Sequence, residues 1–166
     1  MILFADNFLA QMAVVFVTAG MPIGELRAAI PLGILAYGMP VSYAYFISVI
    51  GNMLPVPLVY GFGNIWLRAM EKRKGRLQRL TEWFMKRAKG KAEVNRARKG
   101  LFVAIMLLVA IPFPLTGAYT GSVAAFALGM SFRRALSAIF SGVLIAGLVV
   151  VLASTGVVSA FRVLLF

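Results

Sequence analysis

Apolar residues run in blocks along this chain, and proline and glycine, not polar loops, separate the blocks. From Asn7 to Ala19 the only polar positions are Asn7, Gln11 and Thr18, and the block ends at Gly20-Met21-Pro22 with Gly24 just beyond. A helix over it covers about 20 Å, at about 1.5 Å per residue, and the hydrocarbon core of a bilayer is about 30 Å thick. A second block runs from Glu25 to Tyr37 and stops at Gly38-Met39-Pro40. Two half-length helices joined by a break predict a re-entrant hairpin over residues 6–37, with one long kinked helix as the alternative. Broken backbone at membrane depth is tolerated only where it is buried in protein or lines a wet cavity. Residues 41–67 then read as a full transmembrane helix, with Pro55 and Pro57 near the middle and Asn52 just before them. A kink is expected there, because each proline removes an N–H and clashes with the preceding turn.

After residues 68–99 the pattern starts again. Leu101 to Ile111 is a short apolar helix that breaks at Pro112-Phe113-Pro114. The next block opens with Thr116, Gly117, Tyr119, Thr120, Gly121 and Ser122 before turning apolar as far as Met130. This predicts a second re-entrant hairpin over residues 101–130. A transmembrane helix over 135–154 follows, on which Ala138, Gly142 and Ala146 form a face of small residues suited to close packing in lipid. Residues 156–166 are an apolar tail.

The halves match at an offset of 91 residues: Ala36, Gly38, Met39, Ala44 and Gly51 align without gaps onto Ala127, Gly129, Met130, Ala135 and Gly142. The expected fold is therefore an all-α integral membrane protein of two repeats, residues 1–67 and 100–155. Each repeat is a re-entrant helical hairpin plus a transmembrane helix.

Composition agrees with that reading. Of 166 residues, 61% are hydrophobic and 13% charged, against about 45–50% and 25% in soluble domains. The net charge of +12 is concentrated: thirteen of the seventeen basic residues lie between Arg68 and Lys99. Nucleic acid is not the expected partner, because the positive-inside rule accounts for such a run as a cytoplasmic arm. Within the arm Leu77, Leu80 and Phe84 recur at helical spacing with Arg79, Lys86 and Lys89 opposite. That pattern suits an amphipathic helix lying over anionic headgroups; a protein-binding helix would look the same. With the arm and the Arg133-Arg134 pair both inside, the hairpins re-enter, the termini lie outside, and the repeats are inverted. The N-terminus lacks a basic start and carries Asp6, so the first apolar segment is expected to stay in a multi-pass protein of the cell membrane.

Cysteine and histidine are both absent. A disulfide framework, a thiolate or imidazole metal site and a histidine-based triad are thereby excluded. No enzyme activity, metal or cofactor is expected. The candidate chemistry is at the hairpin tips. Glu25 and Arg27 lie between Pro22 and Pro31 inside an apolar region, and ionisable groups at membrane depth usually mark a pathway or substrate site. A buried carboxylate suits proton exchange and a guanidinium suits an anionic group. A structural ion pair is the alternative, although positions i and i+2 do not face each other on a helix. In an inverted repeat this tip should meet the Pro112–Ser122 tip near the midplane. The candidate pathway comprises Glu25, Arg27, Pro31, Asn52, Pro112, Pro114, Thr116, Tyr119 and Thr120. For Thr116, Tyr119, Thr120 and Asn52 the alternative is that they satisfy backbone groups freed by the breaks.

The string Gly24-Glu25-Leu26-Arg27-Ala28-Ala29-Ile30-Pro31-Leu32-Gly33, followed after the arm by Ala110-Ile111-Pro112-Phe113-Pro114-Leu115-Thr116-Gly117-Ala118-Tyr119-Thr120-Gly121, resembles the family named putative small multidrug export proteins. The likeness covers nearly the whole chain. That family is distantly similar to the DedA (VTT-domain) proteins. This second resemblance implies paired re-entrant hairpins, proton dependence and the flipping of lipid phosphates. The DedA pattern has an arginine near the second-hairpin proline; here that region carries Thr, Tyr and Ser. The expected function is a proton-linked secondary transporter or exporter of a small molecule, or a flippase for an anionic lipid, working as a homodimer. The alternative is a non-transporting scaffold that recruits a partner or anionic lipid through its basic arm.

Overall fold

The computed structural model describes residues 7–71, 94–111 and 117–165, and all regular structure among them is helical. The first half consists of α1 (Phe8–Gly20), α2 (Glu25–Pro31, running on as a π-helix over Leu32–Ala36), α3 (Val41–Gly51) and α4 (Pro55–Glu71). The second half consists of α5 (Val94–Ala110), α6 (Ala118–Ala127) and α7 (Phe132–Leu165). Among the described residues, two stretches are long and apolar enough to cross a membrane, Val41–Gly63 and Phe132–Gly156. α1, with 13 residues, is about 20 Å long and α6, with 10, about 15 Å. Neither could cross a core of about 30 Å alone.

Local sequence accounts for the helix ends. The Asn7 side chain accepts the Leu9 N–H at 3.1 Å and caps α1. Pro31 brings no N–H to α2, and the helix widens directly after it, with the Tyr37 N–H reaching back five residues to the Leu32 carbonyl at 3.2 Å. The first long segment is broken rather than kinked. α3 stops at Gly51, residues Asn52–Leu54 form a turn, and α4 opens with Pro55, a position where a missing N–H costs nothing.

Two boundaries differ from those the sequence predicts. α5 begins at Val94, inside the stretch assigned to the basic arm. α7 continues past Gly156 through Leu165, so the C-terminal apolar residues extend the helix rather than form a separate tail. The breaking prolines Pro112 and Pro114 and the arm residues Leu77, Leu80 and Phe84 lie outside the described residues.

The positions that align at an offset of 91 do the same work in both halves. Gly38 (φ 62°) and Gly129 (φ 68°) adopt the left-handed conformation that closes a helix. The residue after each turns its N–H back: Met39 to the Gly33 carbonyl and Met130 to the Ala125 carbonyl, both at 2.9 Å. Ala44 and Ala135 are both fully buried. A Cβ on Gly51 would stand 2.5 Å from the Phe16 carbonyl oxygen, and one on Gly142 2.6 Å from that of Met106. Each long segment thus lets its own hairpin in through a glycine. On α7 this is the predicted small face, with Ala138 and Ala146 buried on either side.

Helix pairing follows the same pattern. α1 packs on α2 and α3 as α5 packs on α6 and α7. Each short second helix also reaches the other half, α2 against α7 and α6 against α4. The main core runs through both halves and includes Leu26, Ile30, Val56, Ile105, Val109, Ile139 and Val143. Two phenols tie the halves: Tyr45 donates to the Leu144 carbonyl at 3.0 Å and Tyr60 to the Met130 carbonyl at 2.8 Å. The outer surface is apolar, with Leu9, Phe62, Ile65 and Leu152 between 65% and 71% exposed. Patches of this kind do not persist in water and are expected against acyl chains.

Candidate functional site

The first break supplies the charged residues. The chain turns through Met21–Gly24, and α2 opens at Glu25, the one non-glycine residue among those described with a positive φ, 47°. Left-handed backbone costs an L-residue about 1–2 kcal/mol, and such residues gather where surrounding contacts hold them. Here the contacts come from the other half. The backbone N–H groups of Ala118 and Tyr119 donate to the Glu25 carboxylate, and the Arg27 guanidinium acts on it electrostatically. The positive φ removes the helical geometry that would hold the side chains of residues 25 and 27 apart.

The receiving end is the start of α6. A helix leaves its first N–H groups without partners, and its dipole makes that end positive. The residue preceding α6 is Gly117, which has no side chain with which to cap it. A Cβ there would overlap the Glu25 carboxylate, so glycine is what admits a capping group from elsewhere in the chain. Thr120 completes the end by accepting the Gly117 N–H at 2.9 Å. The first three donors therefore have partners: Gly117 on Thr120, and Ala118 and Tyr119 on Glu25.

Contacts run the other way as well. Tyr119 donates its hydroxyl to the Gly20 carbonyl, the last of α1, at 2.6 Å. Gly20 also packs against the break in the first span, where its Cβ would lie 3.1 Å from Leu54 and 3.4 Å from the Gly51 carbonyl oxygen. Three interruptions of helix, at the end of α1, between α3 and α4, and at the start of α6, therefore meet around Gly20.

Of the residues singled out in the sequence, Glu25, Arg27, Tyr119 and Thr120 are brought to one joint. Pro31 is at the junction of α2 with its π-helical extension, at the opposite end of α2 from Glu25. Asn52 lies in the turn that packs on Gly20 and is 1% exposed. Pro112, Pro114 and Thr116 lie outside the described residues. The hydroxyls of Thr120 and Ser122 are both engaged with the backbone of the same helix, on Gly117 and Ala118. Sequence reading missed Gly117, whose role depends on a carboxylate distant in the chain. It also missed Ser48, fully buried one turn before Asn52; a serine and an asparagine four residues apart inside an apolar span were the available signal.

No curated protein and no solved structure matches the chain. A family model does, over residues 25–149, a range that opens on Glu25 and takes in all of Val41–Gly63 and most of Phe132–Gly156. The chain belongs to the family described as "Putative small multi-drug export protein".

Proposed function

We propose that the protein is a proton-linked secondary transporter in which Glu25 is the proton carrier and the joint between the two hairpin tips is the gate. The observation that carries this reading is the Glu25 carboxylate seated on the N-terminus of a helix from the other half. An ionised carboxylate is a strong acceptor for two N–H groups at the positive end of a dipole. Once protonated it keeps little of that attraction, and the tips can part. A proton gradient then drives the opening and closing of a contact between the repeats. Arg27, the cation acting on Glu25, takes the anionic group of the substrate. That group belongs to a small organic anion or to a lipid headgroup.

In this reading the halves are inverted repeats, and α1–α2 and α5–α6 are re-entrant hairpins. The equivalent glycines, the equivalent helix pairings and the short lengths of α1 and α6 support it. The arm lies inside against anionic lipid, the termini lie outside, and two copies enclose the pathway. Single cysteines test the topology cleanly in a chain with none of its own. Gly38 and Gly156 positions should label from outside and Ser131 from inside.

The decisive experiment uses purified protein in vesicles with an imposed pH gradient. Organic anions are offered in one arm and a headgroup-labelled anionic lipid in another. Glu25→Gln should abolish the response to the gradient while substrate binding persists. Arg27→Gln should weaken binding, with Arg27→Lys restoring it in part. Wild-type transport by Glu25→Gln with unchanged pH dependence would overturn the assignment and leave Glu25 as a structural cap. A non-transporting scaffold would show no gradient-driven flux in either arm.

A further inference from the structure

Asn52 is the middle residue of the 23-residue stretch Val41–Gly63, and its side-chain oxygen has no hydrogen-bond partner among the described residues. The Ser48 hydroxyl, one turn earlier, has none either, and the two residues are 1% and 0% exposed. Side chains at i and i+4 share a helix face. Contacts on either side fix where that face points. Ala44 meets Gly33 of the π-helix, whose Cβ would lie 2.9 Å away, and Gly51 meets Phe16 and Ala19 of α1. The orphaned oxygens are therefore shut between α3 and the first hairpin. Two unsatisfied polar groups at the centre of a span are costly to a fold with no use for them.

The surrounding backbone is also rich in acceptors. The Met53 N–H, which a regular helix would give to the Val49 carbonyl, goes to the Ile50 carbonyl at 3.2 Å, and that of Leu54 goes to Gly51 at 3.2 Å. Pro55 and Pro57 supply no N–H. The α3 C-terminus adds the negative end of a helix dipole. Oxygen ligands at the end of a half-helix are the setting in which broken membrane helices hold small hard cations. Residues this buried leave no room for an organic molecule, so a ligand here is no larger than a single ion or water.

We infer that Ser48 Oγ and Asn52 Oδ1, together with carbonyls at the break between α3 and α4, bind a sodium ion that fastens the first hairpin to the first span. This does not depend on the transport reading.

The test is thermal unfolding of the purified full-length protein in neutral detergent. Sodium, lithium, potassium and choline chlorides are compared at equal ionic strength. Sodium should raise Tm saturably, by roughly 5 °C relative to choline, with lithium acting similarly and potassium not. Ser48→Ala and Asn52→Leu should lose the sodium-dependent shift, and Ser48→Thr, which keeps the hydroxyl, should retain it. Equal wild-type Tm in sodium and choline overturns the proposal whatever the variants do. A Ser48→Ala protein that keeps the wild-type difference between sodium and choline overturns it too, because the pair would then be an orphan or a water site. Loss of transport in Glu25→Gln with the sodium shift intact would leave both readings standing, so each can fail separately.

Discussion

The two hairpins share a plan and differ in what they carry. Both pair a short helix with a second that ends on a left-handed glycine, and both enter their own long segment through a glycine notch. The first hairpin has charges at its tip, the strained Glu25 and the π-helix, and its long segment breaks at Asn52. The second hairpin offers Gly117, which admits the Glu25 carboxylate, and Thr120 and Ser122, whose hydroxyls bond only to backbone, and its long segment runs unbroken from Phe132 to Leu165. One half brings the ionisable pair Glu25 and Arg27 to the joint, and the other presents a helix end to them. Two halves with a shared plan can differ in this way because the packing positions constrain both, while the tips do not pack alike.

The largest expected effect is at the contact between the halves. Gly117→Ala forces a methyl group into the Glu25 carboxylate and should destabilise the protein by about 3 kcal/mol, at the upper end for overpacking. Glu25→Ala leaves two N–H groups uncapped and should cost about 2–3 kcal/mol. The double variant should fall well short of the sum, since each change removes what the other disturbs. Additive losses in thermal unfolding would mean that the two residues do not meet.

The likeness of the halves can be challenged next. Gly51→Ala and Gly142→Ala set a methyl group against the Phe16 and Met106 carbonyls at nearly equal distances, so each should cost about 1–3 kcal/mol. Full tolerance of one with loss of the other would break the equivalence. Gly38→Ala should cost about 1–2 kcal/mol through the positive φ alone, since nothing lies within 4 Å of an added Cβ, and Gly129→Ala should cost at least as much.

The smallest effect sharpens the division of labour. Tyr119→Phe removes one hydrogen bond to Gly20 and should lower stability by about 1 kcal/mol. Transport should keep its pH dependence. A Tyr119→Phe protein that folds normally but has lost its response to a pH gradient would move the switching function into the second half.

Much of the architecture was legible in the residues because it is written locally. Block lengths against bilayer thickness distinguish the two crossing stretches from the half-length helices, and Pro22, Gly38, Pro55 and Gly129 mark breaks and caps through their own backbone limits. Gly38 and Gly129 could also be paired by simple alignment. The residue at the centre of the candidate site, Glu25, stands out as a carboxylate in an apolar region. Its partners do not stand out. Ala118 and Tyr119 engage it through backbone N–H groups, which every residue but proline possesses, so nothing in their identity announces the contact. Gly117 reads as a break residue until the carboxylate is placed against it. Ser48 reads as one more small residue of a span until burial closes over it and Asn52 together. Residue types and spacing decide where helix can and cannot form, because those limits act within a turn or two. Which helix end meets which side chain depends on how two distant segments pack, and that was decided only when the halves came together.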